Sequence, residues 1–321
     1  MNLIEAFDKN LIINKTPDKI IETIISRLYF YGDSVYKVYK YGKFFFGDFG
    51  SPDFRKNFYK EDFYWNNIMA PDIYLNLKGT AAVNDEHKIT ELSVAEDFFI
   101  EMKKFDDNKN LTNLLLQKQI SENDIKKIIS EMVTRIKEIT ENKKSDPTYN
   151  FNQKLIDINL ADLESDANLL HLIPSFISAE KTDKIFNFLE NISKDNPYFK
   201  NYDSNNLSAL IDNHADNVIF LDERVEFIDV LPPKKSWRIG DIHFIVSRIA
   251  TDMAVLWEKE KADMLYSIYQ KDNKPIPIEI TSIYEIRSAL IQMWCFYSQD
   301  KLDIAQKYLN FVEEKISFLK K

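Results

Sequence analysis

Glycine is scarce in this chain. Only six occur in 321 residues, at Gly32, Gly42, Gly47, Gly50, Gly79 and Gly240, and they complete neither G-x-G-x-x-G nor a Walker A loop. Rossmann dinucleotide binding and P-loop NTPase chemistry both bring backbone close to phosphate through glycine, so both lose their usual support. Cysteine is scarcer still: the lone Cys295 excludes an internal disulfide framework and a thiolate metal cluster. No apolar run approaches the roughly 20 residues of a membrane span. The opening MNLIEAFDKNLIINKTPDK lacks the basic-then-apolar pattern of a secretion signal. Basic charge is in deficit, with 42 Lys and Arg against 51 Asp and Glu and a net charge of −9. A nucleic-acid surface needs a concentrated basic face, so that partner class is not expected. The expectation is a cytoplasmic protein with a sizeable core and neither membrane nor nucleic-acid partner; its oligomeric state is not legible.

What is present falls into two halves. SRLYFYGDSVYKVYKYG (Ser26–Gly42) carries two aromatic and β-branched runs around Gly-Asp, which predicts a hairpin. In its second strand Val35 and Lys37 share one face, Tyr36 and Val38 the other. FRKNFYKEDFYWNNIMAPDIYL (Phe54–Leu75) spaces Phe58, Tyr59, Phe63, Ile68 and Met69 as a helix that Pro71 stops. VAEDFFIEMKKF (Val94–Phe105) reads as a further strand. After that the periodicity turns helical: Ser121 and Asp124 open a helix with Ile125, Ile128, Ile129, Met132, Val133 and Ile136 on one stripe. Helical spacing recurs over Lys181–Ser193, Ile242–Glu260 and Ile283–Leu319, while Glu141–Asn150 reads as an exposed loop. The expectation is an α+β chain with a strand-rich lobe over residues 1–105 and a larger helical lobe over 106–321.

Chemistry concentrates in LIDNHADNVIFLDERVEFID (Leu210–Asp229). VIFL and VEFI are short apolar strands around the turn DER, and that hairpin would carry Asp229 back beside Asn217. Mg²⁺ wants oxygen ligands and keeps several waters, so one carboxylate (Asp229), one amide (Asn217) and phosphate oxygens would complete its shell. Asp212 would then be placed to deprotonate a substrate hydroxyl, the division of labour of kinase-type phosphoryl transfer. Without a cationic neighbour, three such oxygen-bearing side chains would draw in a cation. The competing reading is a turn-rich surface loop.

The stretch resembles the catalytic loop and metal-binding Asp of the aminoglycoside phosphotransferase-like kinases, H-G-D-x-H-x-x-N followed by a strand ending in Asp. Asp212 falls on the base, His214 on the second His, Asn217 and Asp229 on the metal ligands. IETIIS, VYK, APDIYL and WRIGDI…TDMAVL resemble a bacterial branch often fused to a P-loop ATP-binding domain. The likeness spans roughly residues 20–300, and the chain ends where that fused domain would start. Two features depart from the pattern: Leu210-Ile211 replace His-Gly, and no Gly-rich phosphate loop exists. Glu22–Ser26 stand at that loop, where Thr23 and Ser26 offer hydroxyls.

The resemblance implies a bilobal protein-kinase-like fold that uses ATP and Mg²⁺ to phosphorylate a hydroxyl of a small molecule. Lys37 would hold phosphates, paired with Glu61 from the following helix; Asp62 is the rival one residue on, and Lys40 the rival lysine. The adenine would lie against Glu101–Lys104, with Glu101 and Lys103 at the connector. The helical insert over residues 106–200 would form the acceptor pocket, whose acidity suits a cationic or polyhydroxylated acceptor. The absent His-Gly and Gly-rich loop motivate an alternative, a degenerate kinase fold acting as a binding or regulatory module. A third outcome keeps the ATP site for a protein acceptor or nucleotidyl transfer. His87, His171 and His243, Arg238, Asp241 and Arg287, and the aromatics of KFFFGDF read as structural.

Overall fold

The computed structural model describes residues 1–44, 47–83, 86–222 and 224–321. Phe45 and Phe46 of the KFFFGDF run, and Glu223 of the DER turn, lie outside the described residues. Two compact units emerge: residues 1–109 with 219–234, and residues 110–218 with 235–321. One boundary after residue 105 was expected, yet the segment that carries Asp229 groups with the N-terminal unit.

In the first unit, helix α1 (Leu3–Asp8) precedes β1 (Lys19–Glu22), β2 (Ser26–Tyr31) and β3 (Ser34–Tyr39). The short strands β4 (Lys43–Phe44) and β5 (Gly47–Asp48) lead into helix α2 (Pro52–Met69), followed by β6 (Tyr74–Val83), β7 (Glu86–Thr90) and β8 (Asp97–Lys103). Six strands form one antiparallel sheet in the order β1-β2-β3-β8-β6-β7. The predicted hairpin is β2–β3, with Ser26 opposite Tyr39 and Tyr31 opposite Ser34. Gly32 takes φ +60° at its turn, a conformation glycine adopts without the penalty a Cβ brings.

Period-2 alternation then sorts the side chains of β3. Tyr36 packs on Phe99 and Phe7, and Val38 joins Tyr29 in the same cluster under α1. Val35 and Lys37 are left for the other face. Strand β6 was not expected, because a register shift between Tyr74 and Asn76 breaks its alternation. Helix α2 opens with Ser51, whose side chain accepts from the Phe54 N–H, and with Pro52 in its first turn. Its buried stripe runs through Arg55, Phe58, Tyr59, Asp62, Trp65, Asn66 and Met69, so three polar groups lie inside an apolar face. Strands β9 (Ser208–Ala209), β10 (Val218–Leu221), β11 (Arg224–Phe227) and β12 (Ile239–Gly240) complete the set, with β10 and β11 paired as expected.

The second unit is helical: α3 (Leu111–Leu116), α4 (Glu122–Lys144), α5 (Leu155–Leu170), α6 (Ala179–Asp195) and α7 (Pro197–Lys200), then α8 (Ile242–Leu256), α9 (Lys259–Asp272), α10 (Ile278–Ser298) and α11 (Leu302–Leu319). Ser121 and Asp124 form a complete capping box on α4. That helix runs through Glu141–Lys144, so the expected loop begins only at Ser145. The helical spacing over Ile283–Leu319 belongs to two helices, α10 and α11, with Asp300 at φ +59° between them. Likewise Ile242–Glu260 breaks between α8 and α9. Strands β9 and β12 pair, Ala209 opposite Ile239 and Ser208 opposite Gly240. Gly240 has a packing reason: a Cβ there would meet Leu210 Cδ1 at 2.7 Å.

Candidate active site

Strand β3 presents Lys37 between Leu28 of β2 and Ile100 of β8. Its side chain is 5% exposed, so its ammonium must find partners within the protein. It donates to Asp229 Oδ1 at 2.7 Å and to Asp62 Oδ2 at 3.3 Å. Burial alone would lower the lysine pKa; Asp229 and then Asp62 overcome that and hold it well above the ordinary value. Asp62 is wholly buried, and burial pushes its carboxyl up while Lys37 pulls it back and Asp229 pushes it further.

This geometry corrects the expectation for Glu61. The helix partner of Lys37 is Asp62, the rival, because one residue is 100° of helix rotation and the buried stripe of α2 passes through 62. Lys40, the rival lysine, donates instead to the Thr23 carbonyl and pairs with Glu22.

Asn66, one turn after Asp62, was not singled out from the sequence. Its Nδ2 donates to Asp62 Oδ1 at 2.8 Å, and its Oδ1 accepts from the Val230 N–H at 3.1 Å. The Asp229 N–H donates to Tyr74 Oη at 3.2 Å. These bonds flank Asp229, which takes φ +52°, the left-handed region that costs a non-glycine residue roughly 1 kcal/mol or more. A short carboxylate side chain tolerates that region better than most. The signal in the sequence was an Asp–Asn pair at i, i+4 among aromatics.

Lys37 and Asp229 open on a cavity of about 290 Å³, which Thr23, Ser26, Val35 and Lys103 also line. The connector contributes Met102, Lys104 and Phe105. Glu101 does not line it: its carboxylate accepts from Asn76 at 2.8 Å and pairs with Lys78 at 3.3 Å. Thr23 and Ser26 close their own turn. Thr23 Oγ1 lies 2.8 Å from Ser26 Oγ and accepts from the Ser26 N–H at 2.9 Å, while the Thr23 N–H donates to the Ser26 carbonyl at 2.8 Å. Hydroxyls thus shape this turn.

The second unit carries Asp212, His214 and Asn217. Leu210 and Ile211 are buried, and the Leu210 N–H donates to the Arg238 carbonyl. Asn217 Nδ2 donates to the Asp212 carbonyl at 2.8 Å, which closes the loop on itself. Arg248 of α8, 7% exposed, donates Nε to the Asn213 carbonyl and Nη2 to Asp212 Oδ1 at 2.7 Å. One turn later Asp252 accepts the Ala215 N–H at 2.6 Å. Arg248 on Asp212 is a cationic neighbour that was not expected, whereas Lys37 stands on Asp229. A buried Arg on a mostly apolar helix was the missed signal. Asp241 is structural as expected: wholly buried, it accepts from Tyr198, Tyr202 and Tyr284 hydroxyls and pairs with His243. Arg287 likewise pairs with Asp162 and Asp166.

Among the described residues, no group of three or more His, Cys, Asp and Glu side chains is gathered to hold a metal ion. No helix among them is long and apolar enough to cross a membrane.

No protein-family model matches the chain, and no curated protein matches it in sequence. Solved structures match in fold. A choline kinase from Cryptosporidium parvum is 11% identical with a TM-score of 0.53, over 94% of this chain and 89% of that one. The aminoglycoside phosphotransferase APH(4)-Ia, a thermostable mutant in ternary complex with AMP-PNP and hygromycin B, is 13% identical with a TM-score of 0.53, over 97% and 98%. An aminoglycoside 2'-phosphotransferase-IIIa in its GDP complex is 10% identical with a TM-score of 0.51, over 98% of both. At these identities the likeness is one of architecture. The chain has the α+β, protein-kinase-like fold shared by aminoglycoside phosphotransferases and choline kinases.

Proposed function

We propose that the chain is an ATP-dependent phosphotransferase that phosphorylates a hydroxyl of a small molecule. The observation that carries this reading is Lys37: a buried ammonium, held by two carboxylates, at the wall of a cavity lined by hydroxyls and lysines. An ordinary edge lysine would be solvated. This one is fixed by Asp62 and Asp229, so it meets nucleotide phosphates without reorganising. Thr23 and Ser26 supply the phosphate-side turn, and Met102–Phe105 supply the adenine side. Lys103 lines that cavity and Glu101 supports the strand behind it.

The second unit supplies the acceptor chemistry. Asp212 receives the proton of the attacking hydroxyl, and Arg248 fixes the orientation of its carboxylate. Each unit offers oxygen donors of the kind a divalent ion takes. Asn217 spends its amide N–H on the Asp212 carbonyl, which leaves the amide oxygen as its ligand atom. The Asp229 side chain is 64% exposed and gives Oδ1 to Lys37. Mg²⁺ accepts one or two such protein oxygens with phosphates and water, and when bound it neutralises charge on the transferred phosphoryl group.

Titration with Mg-ATP by calorimetry tests the reading: wild type binds, Asp229→Ala does not, and absence of binding to wild type refutes it. The alternative, a nucleotide-binding module without transfer, draws on the ion pair that Arg248 makes with Asp212. It predicts Mg-ATP binding with no phosphorylated product across an alcohol panel.

A further inference from the structure

The loop from Asp212 to Asn217 has little structure of its own, a three-residue turn over Ala215–Asn217. Beyond the bond from Asn217 to the Asp212 carbonyl, it is held by two buried side chains one helical turn apart on α8. Arg248 holds the Asp212 end, and Asp252 holds the middle through the Ala215 N–H. Asp252 is fully buried, and a carboxylate there keeps its charge only if donors surround it. It has them from two further helices. Gln292 Nε2 of α10 donates at 3.3 and 3.2 Å to its two oxygens, and Tyr308 Oη of α11 donates to Oδ1 at 2.7 Å. Oδ1 is thus anchored by α11 while Oδ2 accepts from the loop. The Tyr308 ring is itself locked, stacked on Phe296 of α10 at 5.5 Å and 19°.

We propose that Tyr308 is a positioning residue for the phosphotransfer loop: through Asp252 it fixes Ala215, and so the placement of Asp212 and Asn217 on either side. The inference rests on the reading of Asp212 as the base. Helix α11 is then part of the catalytic apparatus although it holds none of the reacting groups. Tyr308→Phe keeps the stacked ring and removes one donor from a buried carboxylate, which frees Asp252 to turn away from the loop.

Two measurements on the full chain decide it. In hydrogen exchange, the amides of residues 213–218 in Tyr308→Phe should exchange roughly tenfold faster than in wild type. Those of α4 should be unchanged. With Mg-ATP as the probe and water as acceptor, kcat for ATP hydrolysis should fall about fivefold while KM for ATP stays within about twofold. A merely structural tyrosine would lower the melting temperature and move neither the loop amides nor that split.

Unchanged loop protection overturns the proposal, and so does faster loop exchange with unchanged kcat. If wild type neither binds nor hydrolyses Mg-ATP, the kinase reading fails instead, and the exchange arm still decides whether Tyr308 holds the loop. Should Tyr308→Phe not fold, wild-type exchange under mild denaturant serves. A loop that depends on α11 cannot be better protected than the α11 amides; finding it so refutes the idea.

Discussion

Replacing Lys37 by Met tests the first constellation through stability alone. The variant keeps the stem of the side chain and deletes the ammonium. Two carboxylates lose a partner, but not equally. Asp229 sits closer, at 2.7 Å, yet its side chain is 64% exposed and water screens what remains. Asp62 sits at 3.3 Å with 2% exposure, so its charge is left with only neutral donors, among them the Asn66 amide and the Tyr39 hydroxyl. Removing one partner of such a buried pair costs roughly 3–5 kcal/mol. At about 2 °C per kcal/mol for a chain of this size, the melting temperature should drop by roughly 6–10 °C.

The pH dependence carries the sign. Burial already raises the Asp62 carboxyl, and Lys37 opposes that rise. Deleting Lys37 lets the carboxyl titrate higher still. A carboxyl with a raised folded pKa adds no penalty below its unfolded value near ~4. Its penalty grows as pH rises toward the folded value and is complete above it. The stability gap between wild type and Lys37→Met should therefore widen from about pH 4 toward neutrality. Asp62→Asn added to Lys37→Met should close most of it. Urea unfolding across that range is the assay; a gap below ~1 kcal/mol, or one independent of pH, would refute a buried pair.

Three further outcomes are expected. Asp212→Asn should leave Mg-ATP affinity near wild type and cut turnover by roughly 10²–10⁴, the range for a lost general base, once an acceptor is found by metabolite screening; unimpaired turnover would remove Asp212 from that role. Gly240→Ala places a methyl against Leu210 within the β9–β12 pair and should cost about 1–3 kcal/mol in denaturant unfolding; a neutral result would show that Leu210 can repack. Arg248→Met should leave the Asp212 carboxylate unclamped, so kcat should fall while binding of Mg-ATP, measured by calorimetry, holds.

The sequence by itself determined the elements that depend on near neighbours. Gly32-Asp33 and two alternating runs specify the β2–β3 hairpin, and alternation alone assigns Lys37 and Val35 to one face. Ser121 and Asp124 cap α4 from local geometry. The order of residues from Asp212 to Asp229 marked the fold that the comparisons support. Tertiary structure decided what depends on rotation and packing between elements. Glu61 and Asp62 are equivalent on paper, and only the turn of α2 against the sheet selects Asp62, because a helix carries neighbouring residues to different faces. Glu101 and Lys103 share a face by parity, yet only Lys103 reaches the cavity. Strand β6 escaped notice because a bulge hides its period. Arg248, Asp252 and Tyr308 lie 36, 40 and 96 residues beyond Asp212 in the chain. No local pattern links them to it; burial of charge does, since each carboxylate must find its donors wherever the fold brings them.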